Sequence, residues 1–246
     1  MMDIKTYKRD FDYSYTLGAF PTFELVDAMP ENIINVYSGS NFTDMEKLTA
    51  KCNEKSVPIS INDKVINKLS DKGNVYTVGV FRKYIQELDC KKPHIVLVNP
   101  SDMGNLGTII RTAAAFGILD IAIIEPAADI FNPKTIRASM GSVFRVRIKK
   151  FESFDKYREY ISENKREIFT FMLNGEKPLT ITDCPKPELY SLVFGNEASG
   201  LPNEYLNYGT SIIIPQSDLV DSLNLTIAAG IGMYMFSSGK NVTKKT

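Results

Sequence analysis

Three short segments carry the residue types that could do chemistry. In Asn99–Gly117, Gly104 and Gly107 permit a tight turn, Asn105 can cap a helix beginning near Gly107, and Arg111 lies about one turn into that helix. A guanidinium there faces whatever the loop holds. In Leu192–Pro202, Gly195 and Gly200 flank Glu197, so the backbone can approach a flat ligand while the carboxylate accepts hydrogen bonds from hydroxyls or faces a cation. In Ile213–Gly230, Pro215 ends an apolar run, and Ser222 and Asn224 sit where a long apolar helix starts. Singly, each segment also reads as an ordinary turn or capped helix. Together, each follows an apolar run and would stand at the carboxyl edge of one sheet, where α/β folds place ligand loops.

Several chemistries are excluded early. The single histidine, His94, lies inside the apolar run His94–Val98, a poor position for a Ser-His-Asp or Cys-His site. Cys52, Cys90 and Cys184 are scattered with no CxxC, which opposes a structural zinc, an iron–sulfur centre or a disulfide framework. Neither GxxxxGK[ST] nor GxGxxG occurs, so ATP or NAD cradling has little support.

The elements that must position these residues are those of an α/β protein. In the first ninety residues, helical spacing over Phe23–Met29, Asp44–Ser56 and Asn62–Ser70 alternates with β-type runs at Ile33–Tyr37, Val57–Ile61 and Val75–Phe81. This predicts a compact domain over 1–90, with Asp89–Pro93 as linker and a second domain over 91–246. In the second part, His94–Asn99, Ile121–Glu125, Ile168–Leu173, Leu192–Gly195 and Ser211–Ile214 are short continuous apolar runs, the mark of strands buried on both faces of a parallel sheet. Helices are expected at Gly107–Phe116, Phe154–Asn164 and Leu219–Phe236. The last is apolar almost all round, so either the core or a partner subunit must cover it.

The 246 residues carry 29 basic and 29 acidic side chains, and neither half has a net excess. The distribution is uneven: Lys134, Arg137, Arg145, Arg147, Lys149 and Lys150 fall in a stretch without Asp or Glu, a stripe that could neutralise several phosphates or simply be a solvated strand edge. No apolar run reaches membrane-span length and the start lacks a signal-peptide pattern, so the expectation is a cytoplasmic protein with reduced thiols and no membrane partner.

Read in order, Asn105-Leu-Gly-x-x-x-Arg-Thr-Ala, Arg137-Ala-Ser-Met-Gly-Ser-x-Phe-Arg145, Phe194-Gly-Asn-Glu-x-x-Gly-Leu and Ile214-Pro…Ser222-Leu-Asn resemble the SpoU (TrmH-type) branch of the SPOUT RNA methyltransferases over roughly Lys92–Phe236. Tyr15–Met29 more weakly resembles the L30e-like RNA-binding domain often fused to such enzymes. The resemblance implies a mainly parallel SPOUT-type sheet with a C-terminal trefoil knot, preceded by a small L30e-like α/β domain. It also implies S-adenosylmethionine as cofactor, a homodimer through the C-terminal helix and knot, and methyl transfer to a ribose 2′-OH of structured RNA, 23S-type rRNA before tRNA. Carried over, the cofactor pocket falls on Gly195, Ile214 and Leu223. The catalytic positions fall on Arg111, Asn105, Glu197, Ser222 and Asn224, with no metal. RNA contact is expected from Arg111, Lys134, Arg137 and Arg145. Gln216 and Asp218 depart from the family's usual Met and Gly. A non-catalytic RNA-binding or assembly protein keeping this fold is the rival reading, and base methylation stays open.

Overall fold

A computed structural model describes residues 4–70, 73 and 75–238. In chain order the elements are β1 (Tyr13–Tyr15), α1 (Ala19–Ala28), β2 (Ile33–Ser38), α2 (Met45–Glu54), β3 (Ile59–Ile61), α3 (Asp63–Leu69) and β4 (Thr77–Arg82). There follow β5 (His94–Val98), α4 (Met103–Ala115), β6 (Asp120–Ile124), α5 (Pro133–Ala138), β7 (Arg147–Phe151), α6 (Phe154–Tyr160), β8 (Glu167–Phe171), β9 (Lys177–Pro178), β10 (Tyr190–Phe194), β11 (Thr210–Ile213) and α7 (Leu225–Ser237). Among the described residues no helix is long and apolar enough to cross a membrane.

The chain forms two compact units: Met1–Ile85 with Asp129–Arg145, and Gln86–Ala128 with Val146–Thr246. The first holds a mixed sheet of order β1-β4-β2-β3, in which β2 and β3 run parallel. This division departs from the 1–90 and 91–246 boundaries, because Asp129–Arg145 packs with the N-terminal elements. Phe131 and Phe144 set their rings against Phe81, at centroid distances of 6.0 and 5.2 Å. Gly141, with φ of +82°, lies so close to α1 that a Cβ there would come within 2.7 Å of Glu24 Cβ. The expected linker also belongs to the second unit, where the Asp89 backbone N–H donates to the Asp120 carboxylate.

The second unit is built on an all-parallel sheet of order β7-β6-β5-β10-β8-β11-β9. Its central strands are fully buried, as their continuous apolar runs require. On one face Val96, Val98, Ala122, Ile124 and Val193 meet Phe154 and Tyr157 of α6. On the other, α4 packs against α7, with Phe236 against Phe169 (4.7 Å) and Tyr190 (5.3 Å). Between β5 and β10 the strand order reverses, the place where neighbouring loops diverge and leave a crevice at the carboxyl edge.

The amino edge of this sheet is clasped by side chains. Arg147 grips Asp120, which is fully buried, through two contacts of 2.6 Å. Arg166 donates to the carbonyls of Tyr190, Cys90 and Lys92 at 2.6–2.9 Å. His94 bonds the Tyr157 hydroxyl at 2.9 Å, and that hydroxyl meets Ser191. Burial, then the neighbouring Arg166 charge, push the His94 pKa down to about 4, so this imidazole is a neutral core group.

Two helix starts differ from expectation. Asp102, not Asn105, caps α4: its side chain accepts from the Asn105 N–H at 2.7 Å, which moves the start back to Met103 and puts Asn105 in the first turn. α7 begins at Leu225, not Leu219, because Asn224 caps it through the Thr226 N–H (2.8 Å) and hydroxyl (2.7 Å). Leu219, 92% exposed, lies outside the helix.

Candidate active site and cofactor cavity

The loops leaving β5 and β10 are tied together by one carboxylate. Glu197 accepts from the Ser101 N–H (3.0 Å), the Ser101 hydroxyl (2.8 Å) and the Asp102 N–H (3.0 Å), with the Asn105 amide at 3.4 Å. Burial raises its pKa, but the backbone N–H groups of Ser101, Glu197 and Asp102 and the Ser101 hydroxyl outweigh it, so the carboxyl titrates below its usual range. Asn196 adds a second tie, donating to the Asn99 carbonyl at 2.8 Å while its own oxygen accepts from the Ala198 N–H. Glu197 and Asn105 are therefore together, as the sequence suggested. Their visible work is to fix the turn that starts α4.

Behind this turn lies a cavity of ≈ 320 Å³, lined among others by Gly195, Glu197, Ile214, Gln216, Ser222 and Leu223. Two of the three segments, Leu192–Pro202 and Ile213–Gly230, thus converge on it, so that the expected cofactor residues Gly195, Ile214 and Leu223 line it together with Glu197 and Ser222, while the first segment is tied to Glu197 beside it. Gly195 is needed for a steric reason: a Cβ there would fall 2.2 Å from the Gly200 carbonyl carbon. The turn closes on itself through reciprocal Asn196–Gly200 backbone hydrogen bonds of 3.1 and 3.0 Å. Ile214–Gln216 lies just past the end of β11, and Gln216 crosses its loop to donate to the Asp221 carbonyl at 3.3 Å.

Other expected site residues lie elsewhere. Asn224 is the cap of α7 and does not line the cavity. Arg111 projects from α4, exposed, without a hydrogen bond or ion pair to any described residue, and it too is absent from the cavity wall. The basic stripe is divided between the two units and largely neutralised. Arg145 pairs with Glu24 (2.6 Å) and Asp27 (3.8 Å), Arg147 with Asp120, Lys149 with Glu87 (2.6 Å) and Lys150 with Glu125 (3.5 Å). Lys134 on α5 is exposed and, like Arg137, has no ion pair with a described residue. Among the described residues no group of three or more His, Cys, Asp or Glu could hold a metal. Sequence reasoning missed Ser101 and Asp102 as partners of Glu197, although both lie in the segment it singled out.

A wholly parallel, helix-flanked sheet with glycine-bearing loops and a cavity at its carboxyl edge defines a ligand-binding α/β domain. Residues 92–234 match the SpoU rRNA Methylase family, well over half of the chain, and the protein belongs to that family. Among solved structures it is similar to an AdoMet-bound rRNA methyltransferase from Sinorhizobium meliloti, at 27% identity and TM-score 0.74, over 91% of this chain and 86% of that one. It also shares its fold with a SpoU methyltransferase from Streptomyces viridochromogenes (TM-score 0.80, 18% identity, 92% of this chain and 89% of that one). Among curated proteins, an uncharacterised tRNA/rRNA methyltransferase of Synechocystis is 33% identical over 57% of this chain and 51% of its own length. The 23S rRNA (guanosine(2553)-2'-O)-methyltransferase of Bacillus subtilis is 32% identical over 54% of this chain and 53% of its own. The chain thus spans about half the length of these curated relatives.

Proposed function

We propose that this protein transfers a methyl group from S-adenosylmethionine to a ribose 2′-OH of structured RNA, 23S-type ribosomal RNA before tRNA. The observation that carries the reading is the convergence of Gly195, Ile214, Leu223, Glu197 and Ser222 on one cavity inside the family-matched residues. The cavity suits such a cofactor. Ile212, Ile214 and Leu223 offer apolar surface to a flat adenine, and the side-chain-free turn at Gly195 leaves bare backbone to face it. When bound, S-adenosylmethionine supplies a methyl group on a positively charged sulfur, and transfer to an oxygen is an in-line displacement in which positioning can contribute about 7–11 kcal/mol.

The residues divide the work. Glu197 and Asn105 hold the turn; Ser222 and Leu223 shape the cofactor wall. Arg111 is the phosphate clamp: a guanidinium keeps its proton in proteins, so its part is to grip RNA bidentately and stabilise charge growing on O2′, not to take the proton. Because Arg111 lies off its own chain's cavity, a homodimer in which α7 meets a second copy would bring the partner's Arg111 to it. The outward Ile227 (53% exposed) and Tyr234 (59%) of α7 support that surface. The C-terminal trefoil knot implied by the family resemblance belongs to the same reading. The N-terminal unit is read as the L30e-like RNA-binding part, with Lys134 and Arg137 as cations open to phosphates.

The test is incubation of the protein with methyl-labelled S-adenosylmethionine and rRNA from cells lacking the gene, followed by nucleoside mass spectrometry. A labelled 2′-O-methylnucleoside is expected. Label on a base, or no label together with no cofactor binding by calorimetry, would overturn the reading in favour of base methylation or a non-catalytic RNA binder.

A further inference from the structure

A second cavity of ≈ 320 Å³ opens at the same edge of the parallel sheet, lined by Asn99, Ser101, Pro126, Ala127, Ala128 and Asn196. It adjoins the cofactor cavity: Asn196 lines both, and Glu197, on the wall of the first, holds Ser101 on the wall of the second. One side of its lining is a short apolar step, the exposed Pro126 with Ala127 and Ala128, pinned where the Ala128 N–H donates to the Pro100 carbonyl at 2.7 Å. Its rim carries amides and a hydroxyl. Asn99 stands out among them. Its backbone has φ of +51°, in the left-handed region that Asn enters more readily than other residues with a Cβ. The Asn99 amide nitrogen makes only long contacts, 3.5 Å to the Ile124 carbonyl and 3.4 Å to the Pro126 carbonyl, and its Oδ1 accepts no hydrogen bond from a described residue. By contrast Ser101 and Asn196 are fully engaged within the loops.

We infer that this second cavity is the seat of a nucleobase, that of the nucleotide whose ribose is methylated, stacked on Pro126–Ala127 and read on its edge by Asn99. RNA-binding proteins recognise splayed bases by stacking and by hydrogen bonds to their edges, and an asparagine amide matches a base edge that bears an exocyclic amino group. With a base here, its ribose falls at the Asn196–Glu197 partition, beside the cofactor cavity. The inference deepens the proposed methyltransferase reading and rests on it.

The experiment uses the full-length protein with S-adenosylmethionine present. During titration with AMP, CMP, GMP and UMP, the side-chain amide resonances of Asn99 are followed by NMR in wild type and Ala127→Trp, and the backbone amides of Ala127 and Ala128 in both and in Asn99→Gly, glycine being at ease at positive φ. Methyl transfer to rRNA and S-adenosylmethionine affinity are measured on the same samples. The expected result is that nucleotides with an exocyclic amine shift the Asn99 amide in wild type and the indole plug abolishes the shift. The plug should also lower kcat/KM for RNA at least tenfold with cofactor affinity unchanged, while Asn99→Gly loses discrimination among nucleotides. No shift in wild type, or a plugged variant that methylates RNA at the wild-type rate, overturns the inference while leaving the methyltransferase reading intact. Nucleotide shifts in a wild-type protein that transfers no methyl would uphold the cavity as a base site and sink the methyltransferase reading.

Discussion

Replacing Glu197 with Gln isolates what its carboxylate does. One oxygen accepts from the Ser101 N–H and hydroxyl, the other from the Asp102 N–H. The amide keeps one oxygen and turns an NH₂ toward the donors of the other, so at least one charge-assisted bond is lost and one N–H is left facing a donor. Bonds to a charged group contribute about 1.5–3 kcal/mol each. Because Ser101 and Asp102 are exposed and water can replace part of the loss, the lower end applies, about 1.5 kcal/mol. Near 1.4 kcal/mol is a factor of ten, so opening of the Ser101–Asn105 turn should become about tenfold more frequent. Amide hydrogen exchange measured residue by residue should show Ser101 and Asp102 exchanging about tenfold faster in Glu197→Gln, while the amides of β6 keep their rates. Methyl transfer should fall with them. If transfer collapses while both amides exchange at the wild-type rate, Glu197 acts on substrate and the account of it as the anchor of this turn is wrong.

Arg111→Lys should leave the unfolding temperature unchanged, since the side chain is exposed and has no ion pair or hydrogen bond with a described residue, and should lower kcat at least tenfold because an ammonium lacks the planar fork; near-normal turnover refutes the clamp. Arg147→Ala leaves the fully buried Asp120 carboxylate with the Asp89 N–H alone among the described residues, and because the arginine is 39% exposed and water can follow it in, should cost about 1.5–3 kcal/mol in urea unfolding with S-adenosylmethionine affinity retained. His94 titrates near 4 when folded against about 6.5 unfolded, so the unfolded state takes up the proton first. Stability should therefore fall as pH drops from about 6.5 towards 4, and the urea midpoint of His94→Gln should be flatter over that window.

How far the sequence discloses this protein depends on whether the deciding interaction is local. Continuous apolar runs mark β5, β6, β8, β10 and β11, because a strand buried on both faces must be apolar throughout. β7 escapes because Arg147, Lys149 and Lys150 interrupt its run, and their carboxylate partners come from far away in the chain. The same pairs explain why a stripe that looks free in one dimension is largely neutralised in three. The start of α7 was readable from Asn224, a cap residue directly before the helix, but the apolar Leu219–Val220 ahead of it masked the signal. Within the candidate site, the two glycines framing Glu197 single it out in the sequence, whereas Asn99 has no such frame and its open amide depends on where the Ile124 and Pro126 carbonyls lie.

The two rims of the parallel sheet are finished in opposite ways. At one, arginines and buried acids lock strand ends that ordinary loops would leave to fray. At the other, short loops hang on one carboxylate and one amide. Such an arrangement divides the labour of tolerance: exchanges along the ligand rim can retune what is recognised without unmaking the scaffold, whereas a single charge reversal at the locked rim threatens the whole unit. Variation among natural or engineered versions of this protein should accordingly be survivable in the first place and scarce in the second.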